Sequence, residues 1–146
     1  MYTPKLLQWD FSLTTGDEVL DNQHKYLIEI LNKLGTAILD GYGKENIIRI
    51  LGTLKFYADW HFGKEEQCME AYHCPAADKN KRAHSAFIEK FNRYHKEYLD
   101  SGGSDDLALK IHESIYDWIV GHILTVDSEL YPCIHKRPKP NSVTAS

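Results

Sequence analysis

The chain has 146 residues, which favours one domain over two, and a folded chain of this length buries about two-thirds of its surface without needing disulfides. Its 17 basic and 21 acidic residues give a net charge of −4 with no basic block, which argues against nucleic-acid binding. A hydrophobic fraction of 42% and an aromatic fraction of 12% exclude a disordered chain. Eight histidines stand out, and only their spacing can show whether they are metal ligands.

The predicted elements begin with a lead-in over residues 1–17. Four segments follow in which apolar residues recur in steps of three and four, the spacing of one helix face. Ser104 predicts the N-cap of the last helix, Pro132 its end, and residues 133–146 a flexible tail. The predicted helices cover about residues 19–40, 44–72, 77–99 and 105–131.

Short turns between long helices make consecutive helices antiparallel neighbours. No segment with the alternating period of a strand competes with the helical pattern. The sequence therefore predicts an all-α fold, an up-down-up-down antiparallel four-helix bundle, as a single domain over residues 1–132.

The cysteines bear on the redox setting. Cys68, Cys74 and Cys133 form no C-x-x-C pair, which excludes a zinc knuckle and a thioredoxin-type motif, and their odd number argues against a secreted disulfide scaffold. Residues 1–12 lack the apolar run of a signal peptide, and no stretch approaches the roughly 20 apolar residues of a membrane span. We therefore expect a cytoplasmic, reducing setting and no membrane partner.

Each apolar helix face also carries side chains that are foreign to a hydrocarbon core. They are His24 on the first helix, His61 and Glu65 on the second, Asn80 and His84 on the third, and His122 and Asp127 on the fourth. A buried imidazole or carboxylate is costly unless it is paired or binds a metal. For one histidine alone, a hydrogen-bonded core position is the commoner explanation, but it weakens when all four helices share the feature.

Position along the helices supports a common site. His61 and Glu65 are four residues apart and so lie on one helix face, about 6 Å apart. His24 and His84 fall early in their helices, whereas His61 and His122 fall towards the ends of theirs, so an up-down bundle brings them to compatible levels. Four imidazoles with two carboxylates suit two borderline metal ions such as iron, with the carboxylates as bridges.

Asp127 fits this arrangement less well. It follows His122 by five residues, a step that turns it through about 140° on a regular helix. We therefore predict a local widening, such as a π-bulge, between the two residues.

In this order the residues resemble the hemerythrin family, above all its single-domain bacterial members. The resemblance spans Trp9 to Tyr131 and is carried in turn by Asp21-x-Gln23-His24, His61-Phe62-x-x-Glu65-Glu66, His84-x-x-Phe87 and Trp118-Ile119-x-x-His122-x-x-x-x-Asp127. It implies a non-haem di-iron centre inside the bundle that binds O2 for storage, delivery or sensing rather than an enzyme. NO and peroxide are the alternative ligands.

The resemblance also implies roles for single residues. One iron would be held by His24 and His61, the other by His84 and His122, and both would be bridged by Glu65, Asp127 and an oxo or hydroxo group. Ile119 stands where the family usually has a leucine lining the O2 pocket. The wall would be completed by Trp118, Phe62 and Phe87, for which plain core packing is an equally good explanation.

One position departs from the family. The third helix of hemerythrins normally carries H-x-x-x-H, and Asn80 stands at the first of these histidines. Because an amide oxygen is a poorer donor to iron than imidazole, the second iron would have two histidines plus Asn80, a water or an open position. We expect weaker binding there, which leaves open an altered or partly occupied site that acts in O2, peroxide or NO redox chemistry or sensing.

The remaining candidates fit no ligand position. They are His73, His95, His112 and His135, with Glu66 as a poorer bridge than Glu65 and Cys68 as a small core residue. A ferritin-like di-iron enzyme would need two E-x-x-H elements, and the chain has one, from Glu70 to His73, at a helix end. A structural or signalling bundle with a degenerate metal site remains a third possibility.

Overall fold

The computed structural model describes residues 3–136, except for the side chains of residues 127, 128 and 136. Within this range the chain forms one 3-10 turn and four long helices: Phe11–Leu13, then α1 (Glu18–Leu39), α2 (Lys44–Ala71), α3 (Ala77–Asp100) and α4 (Asp105–Lys136). Each helix packs against the one before and the one after it, and α4 closes the ring against α1. The predicted all-α four-helix bundle with up-down-up-down order is confirmed.

Side-chain caps start two of the helices. The carboxylate of Asp17 accepts a hydrogen bond from the backbone N–H of Leu20 at 2.9 Å and so caps α1. The hydroxyl of Ser104 accepts from the N–H of Leu107 at 3.3 Å, which confirms the N-cap predicted for α4. Gly43 precedes α2 with φ 93°, a left-handed conformation that glycine adopts without strain.

The lead-in is tied to α1 rather than loose. Asn32 donates to the carbonyl of Leu7 and accepts from its N–H, both at 2.8 Å. Asp21 accepts from the backbone N–H of Thr15 at 2.7 Å and also from the hydroxyl groups of Thr14 and Thr15. These bonds fix the entry of the chain into α1 a few residues before the first predicted ligand, His24.

The last helix differs from its prediction. It continues through Pro132 to Lys136, so the predicted end at residue 131 and the predicted tail from residue 133 are wrong for these turns. Burial of Leu130 and Cys133 against the bundle holds the helix past the proline. Residues 137–146 of the predicted tail lie outside the described part of the chain. The backbone is α-helical between His122 and residue 127, so the predicted π-bulge is not present.

The apolar core divides into two clusters along the bundle. The larger one runs through the middle and contains, among others, Leu31, Leu34, Leu51, Leu54, Phe91, Ile111 and Ile115. The smaller one lies at the end where α2 meets α3 and α4 finishes, and it consists of Leu20, Met69, Tyr72, Cys74, Val126, Leu130 and Cys133. The polar residues that form the candidate site lie between residues of these two clusters along α1, α2 and α4.

A disulfide joins the smaller cluster. Cys74 in the turn after α2 is bonded to Cys133 in the last turns of α4, with Cα atoms 5.8 Å apart. The expectation of reduced cysteines is therefore not met, because folding brings together two residues that are 59 positions apart in sequence. Cys68 is not part of this bond and is half-buried rather than buried. No helix within residues 3–136 is long and apolar enough to cross a membrane.

Candidate metal centre

Four buried side chains and one that is nearly buried, from all four helices, meet in the interior of the bundle. They are His24 from α1, His61 and Glu65 from α2, His84 from α3 and His122 from α4. Glu65 has no exposed surface, and His122, the most exposed of the five, is 10% exposed. Spacing along the sequence predicted this convergence, and the antiparallel order of the helices produces it.

The carboxylate of Glu65 lies at the centre of the group. Its Oε2 atom is 3.1 Å from Nε2 of His24 and 3.5 Å from Nε2 of His61. Its Oε1 atom is 3.0 Å from Nε2 of His84 and 3.6 Å from Nε2 of His122. Each oxygen thus faces two imidazole nitrogens from two helices. We call the first set, with Oε2, the first half-site and the second set, with Oε1, the second half-site.

The charges of this group follow from its burial. Burial alone would raise the pKa of Glu65, but hydrogen bonds from the four histidines outweigh it and hold the pKa well below its usual value. Burial lowers the pKa values of His61 and His122, which favours their neutral forms. A carboxylate among imidazoles is a donor set that iron and zinc bind in proteins.

The arrangement also leaves nitrogen atoms that the protein does not satisfy. The buried Nδ1 atom of His24 has no hydrogen-bond partner. In the second half-site, Nε2 of His84 lies 2.9 Å from Nε2 of His122. Both nitrogens also face Oε1 of Glu65, and one oxygen atom cannot accept good hydrogen bonds from two nitrogens that are this close to each other. Two metal ions, one between each oxygen of Glu65 and its two imidazoles, would satisfy the Nε2 atoms that crowd this carboxylate, so the residues present fit a dinuclear centre.

Two further side chains orient the histidines from behind. Oε1 of Gln23 lies 2.7 Å from Nδ1 of His61, and Oε2 of Glu66 lies 2.9 Å from Nδ1 of His84. An acceptor on Nδ1 holds the proton there and leaves the Nε2 lone pair for a metal. Sequence reasoning assigned no role to Gln23 and considered Glu66 only as a bridge. Their positions next to a ligand in sequence were the available signal.

Asn80 lies against the second half-site. Its amide nitrogen donates to Oε1 of Glu65 at 3.0 Å and lies 3.0 Å from the sulfur of Met69. Asn80 is 5% exposed, and its side chain reaches the carboxylate of Glu65 from α3, the helix that would carry a ligand histidine at this position. The side chain of Asp127 is outside the described part of the structure, so its role as a second bridge stays a prediction.

Aromatic rings cover the second half-site. Phe62 stacks on the ring of His84 at 4.0 Å with an angle of 6° between the planes. Trp118 stacks on His122 at 4.3 Å, and Phe87 stacks on Trp118 at 4.2 Å. Ile119, the fourth predicted pocket residue, is 1% exposed within the larger core cluster. Phe62, Trp118 and Phe87 thus pack on or behind the histidines of the second half-site, and the ring of Phe62 also lies 6.0 Å from that of His61 in the first.

The remaining described histidines belong to no group of three candidate ligands within residues 3–136. His112 is fully buried in α4, where burial lowers its pKa to about 4 despite a hydrogen bond to the backbone of Leu31. His73 adopts a left-handed φ of 53° just after α2. His135 packs against Tyr131 on the last turns of α4.

Comparisons with known proteins agree with this geometry. The Hemerythrin HHE cation binding domain matches residues 15–134. A bacteriohemerythrin from Clostridium acetobutylicum is 31% identical over 127 residues, which cover 83% of this chain and 95% of that protein. One from Pseudomonas aeruginosa (strain LESB58) is 30% identical over 124 residues, 84% of this chain and 77% of that protein.

Two more relatives extend the comparison. A hemerythrin from Themiste dyscrita is 29% identical over 119 residues, which cover 82% of this chain and 86% of that protein. The crystal structure of a hemerythrin mutant superposes with a TM-score of 0.75 at 25% identity, over 92% of this chain and 98% of that one. The match over residues 15–134 contains every described side chain of the centre, and the chain belongs to the hemerythrin HHE cation binding domain family.

Proposed function

We propose that the chain is a non-haem di-iron protein that binds O2 reversibly for storage, delivery or sensing. The observation that carries the proposal is the position of Glu65, whose two oxygens each face two imidazole nitrogens from two different helices. The same carboxylate can therefore join two metal ions, one in each half-site. Relatives named bacteriohemerythrin, which match most of the chain, support the assignment.

The residues of the centre would have separate roles in metal and O2 binding. The Nε2 atoms of the four histidines and Glu65 hold the metal pair, and Asp127 is proposed as a second bridge. The iron pair, when bound with its oxo or hydroxo bridge, supplies the electrons and the coordination position that O2 binding requires. The apolar side chains of Phe62, Phe87, Trp118 and Ile119 would line the O2 pocket and slow the loss of a reduced oxygen species.

A second candidate function rests on Asn80. The family usually has a histidine at this position. The side chain of Asn80 offers no imidazole, and its amide nitrogen donates to Glu65 instead. The second half-site would then bind iron more weakly and expose a further coordination position. Under this alternative the protein acts in O2, peroxide or NO redox chemistry or sensing, with oxidase or peroxide-decomposing activity.

The cellular location of the protein stays a prediction. A cytoplasmic location rested on a reducing environment for the cysteines, and the Cys74–Cys133 disulfide is at odds with that environment. The proposed ligand of the centre is O2 with NO or peroxide as alternatives, and no nucleic-acid partner is proposed for this acidic chain.

The deciding experiment measures iron per chain together with the optical spectrum under argon and in air. Two irons and a spectral change that reverses on repeated cycling support reversible O2 binding. About one iron, with rapid and irreversible oxidation in air, supports the alternative, and Asn80→His should then raise both iron content and the number of reversible cycles. A chain that takes up no iron under anaerobic reconstitution overturns both.

A further inference from the structure

The two half-sites differ in what holds their histidines from behind. His61 in the first half-site meets a neutral amide, Gln23, at 2.7 Å. His84 in the second half-site meets a carboxylate, Glu66, at 2.9 Å. Both contacts are made through Nδ1, so the two half-sites share a geometry and differ in the charge of the partner.

Helix geometry explains why Glu66 reaches His84. Glu65 and Glu66 are consecutive on α2, so the first points into the bundle and the second points about 100° away, towards α3. Glu66 is 23% exposed and lines a cleft of about 430 Å³ between α2 and α3, whose wall also includes Phe62 and His84. Glu66 therefore contacts the ligand histidine from the solvent side, outside the dry interior.

The ring of His84 is held in two directions. Phe62 stacks on its face at 4.0 Å, and Glu66 accepts at its edge, so neither tilt nor rotation about the ring axis is free. A carboxylate partner also increases the electron density of an imidazole more than an amide does, because its negative charge stabilises the proton on Nδ1. Removing such an outer partner typically lowers metal affinity by about 10- to 100-fold.

The second half-site is also the one beside Asn80. The amide of Asn80 donates to Oε1 of Glu65 and so competes with a metal for that oxygen rather than adding a strong donor. The half-site with the weaker set of donors is thus the one whose histidine has the charged partner.

We propose that Glu66 is a positioning residue for the second metal ion. It strengthens His84 as a donor and so offsets the lack of a third imidazole at position 80. This inference rests on the proposed dinuclear centre. It makes Glu66 more important for the second half-site than Gln23 is for the first.

The test is calorimetric titration of the metal-free full-length chain with Co²⁺ alone, in the wild type and in Glu66→Ala and Glu66→Gln. We expect Glu66→Ala to weaken one of two bound ions by about 10- to 100-fold and to leave the other unchanged. Glu66→Gln keeps an acceptor but loses the charge, so it should fall between the wild type and Glu66→Ala. The visible spectrum of bound Co²⁺ should change for one ion, which a purely structural effect would not produce.

Two variants serve as controls. Glu89→Gln removes a carboxylate from the same cleft, on the exposed side of α3 and paired with Arg93, and should leave both ions unchanged. Gln23→Ala removes the partner of His61 and should weaken the other ion. Thermal melting of each metal-free variant reports folding, and Glu66→Gln decides the outcome if Glu66→Ala melts well below the wild type.

The outcomes separate the two proposals. A wild type that binds no Co²⁺ overturns the dinuclear centre and the role of Glu66 together. A wild type that binds two ions, with Glu66 variants that match Glu89→Gln or weaken both ions equally, overturns the role of Glu66 alone. Selective weakening of one ion, graded from Glu66→Gln to Glu66→Ala, supports it.

Discussion

Two regions of this bundle bury histidine, and they do so in opposite ways. Around Glu65, four imidazoles share one carboxylate. In the first third of α4, His112 is fully buried beside α1, where a Cβ atom added to Gly35 would come within 2.9 Å of its ring. The first region has more nitrogen donors than protein partners can satisfy, and the second is a single neutral ring packed closely against a glycine.

The difference shows how to separate ligands from core residues. A single buried imidazole is tolerated when it stays neutral and makes a hydrogen bond within the protein, as His112 does to the backbone of Leu31. A group of converging nitrogens around one acid cannot be satisfied in that way, so it indicates a cation.

The largest effect is expected from Glu65→Gln. The change keeps the size of the side chain but removes the anionic bridge between the half-sites, so both ions should bind at least about 100-fold more weakly. Metal analysis after dialysis measures the loss. His112→Leu, a control in the other region, should retain the full metal content. Two ions retained by Glu65→Gln would contradict the central role of this carboxylate.

Removal of metal should destabilise the wild type by about 4 kcal/mol for each ion that was present at roughly 1,000 times its dissociation constant. For a domain of this size the melting temperature should fall by about 10 °C for each ion, measured by scanning calorimetry with and without a chelator. The chelator should not change the melting of Glu65→Gln. If it lowers that melting temperature equally, the metal is bound elsewhere.

Loss of the Cys74–Cys133 disulfide should cost about 4 kcal/mol, because the disulfide closes a long loop in the unfolded chain. Hydrogen exchange should quicken in the last turns of α4 and in residues 72–76, at the metal-centre end, and not around His112. Cys133→Ser tests this in urea unfolding, and Cys68→Ser is the control. Uniform faster exchange along the whole bundle would show that the two regions unfold together.

The smallest effect concerns acid stability. Burial lowers the pKa of His112 to about 4, below the value of about 6.5 expected in the unfolded chain. Between these pH values the unfolded chain binds a proton that the folded chain does not, so stability falls as pH decreases, by up to about 2 kcal/mol. Urea unfolding of the metal-free protein from pH 7 to pH 4 measures it. His112→Leu should lack this part of the slope, and an unchanged slope would place its origin elsewhere.

Prediction from sequence succeeded where local periodicity was sufficient. Apolar spacing located all four helices, and the step from His61 to Glu65 placed both on one face. It failed at the end of α4, since the rule that proline ends a helix ignores the packing of Leu130 and Cys133. It also failed for the π-bulge before residue 127, where the backbone stays α-helical.

Residue types at helical spacing were sufficient to predict the fold class, the family resemblance and the candidate ligand histidines. Which atoms meet became visible only once the helices were packed together. The structure shows that the oxygens of Glu65 divide four imidazoles into two pairs. Gln23 contacts the far side of His61 and Glu66 that of His84, and Cys74 is bonded to Cys133. The physical reason is that these contacts cross between helices, and their partners are set by the rotation and height of each helix in the bundle, which no local pattern contains.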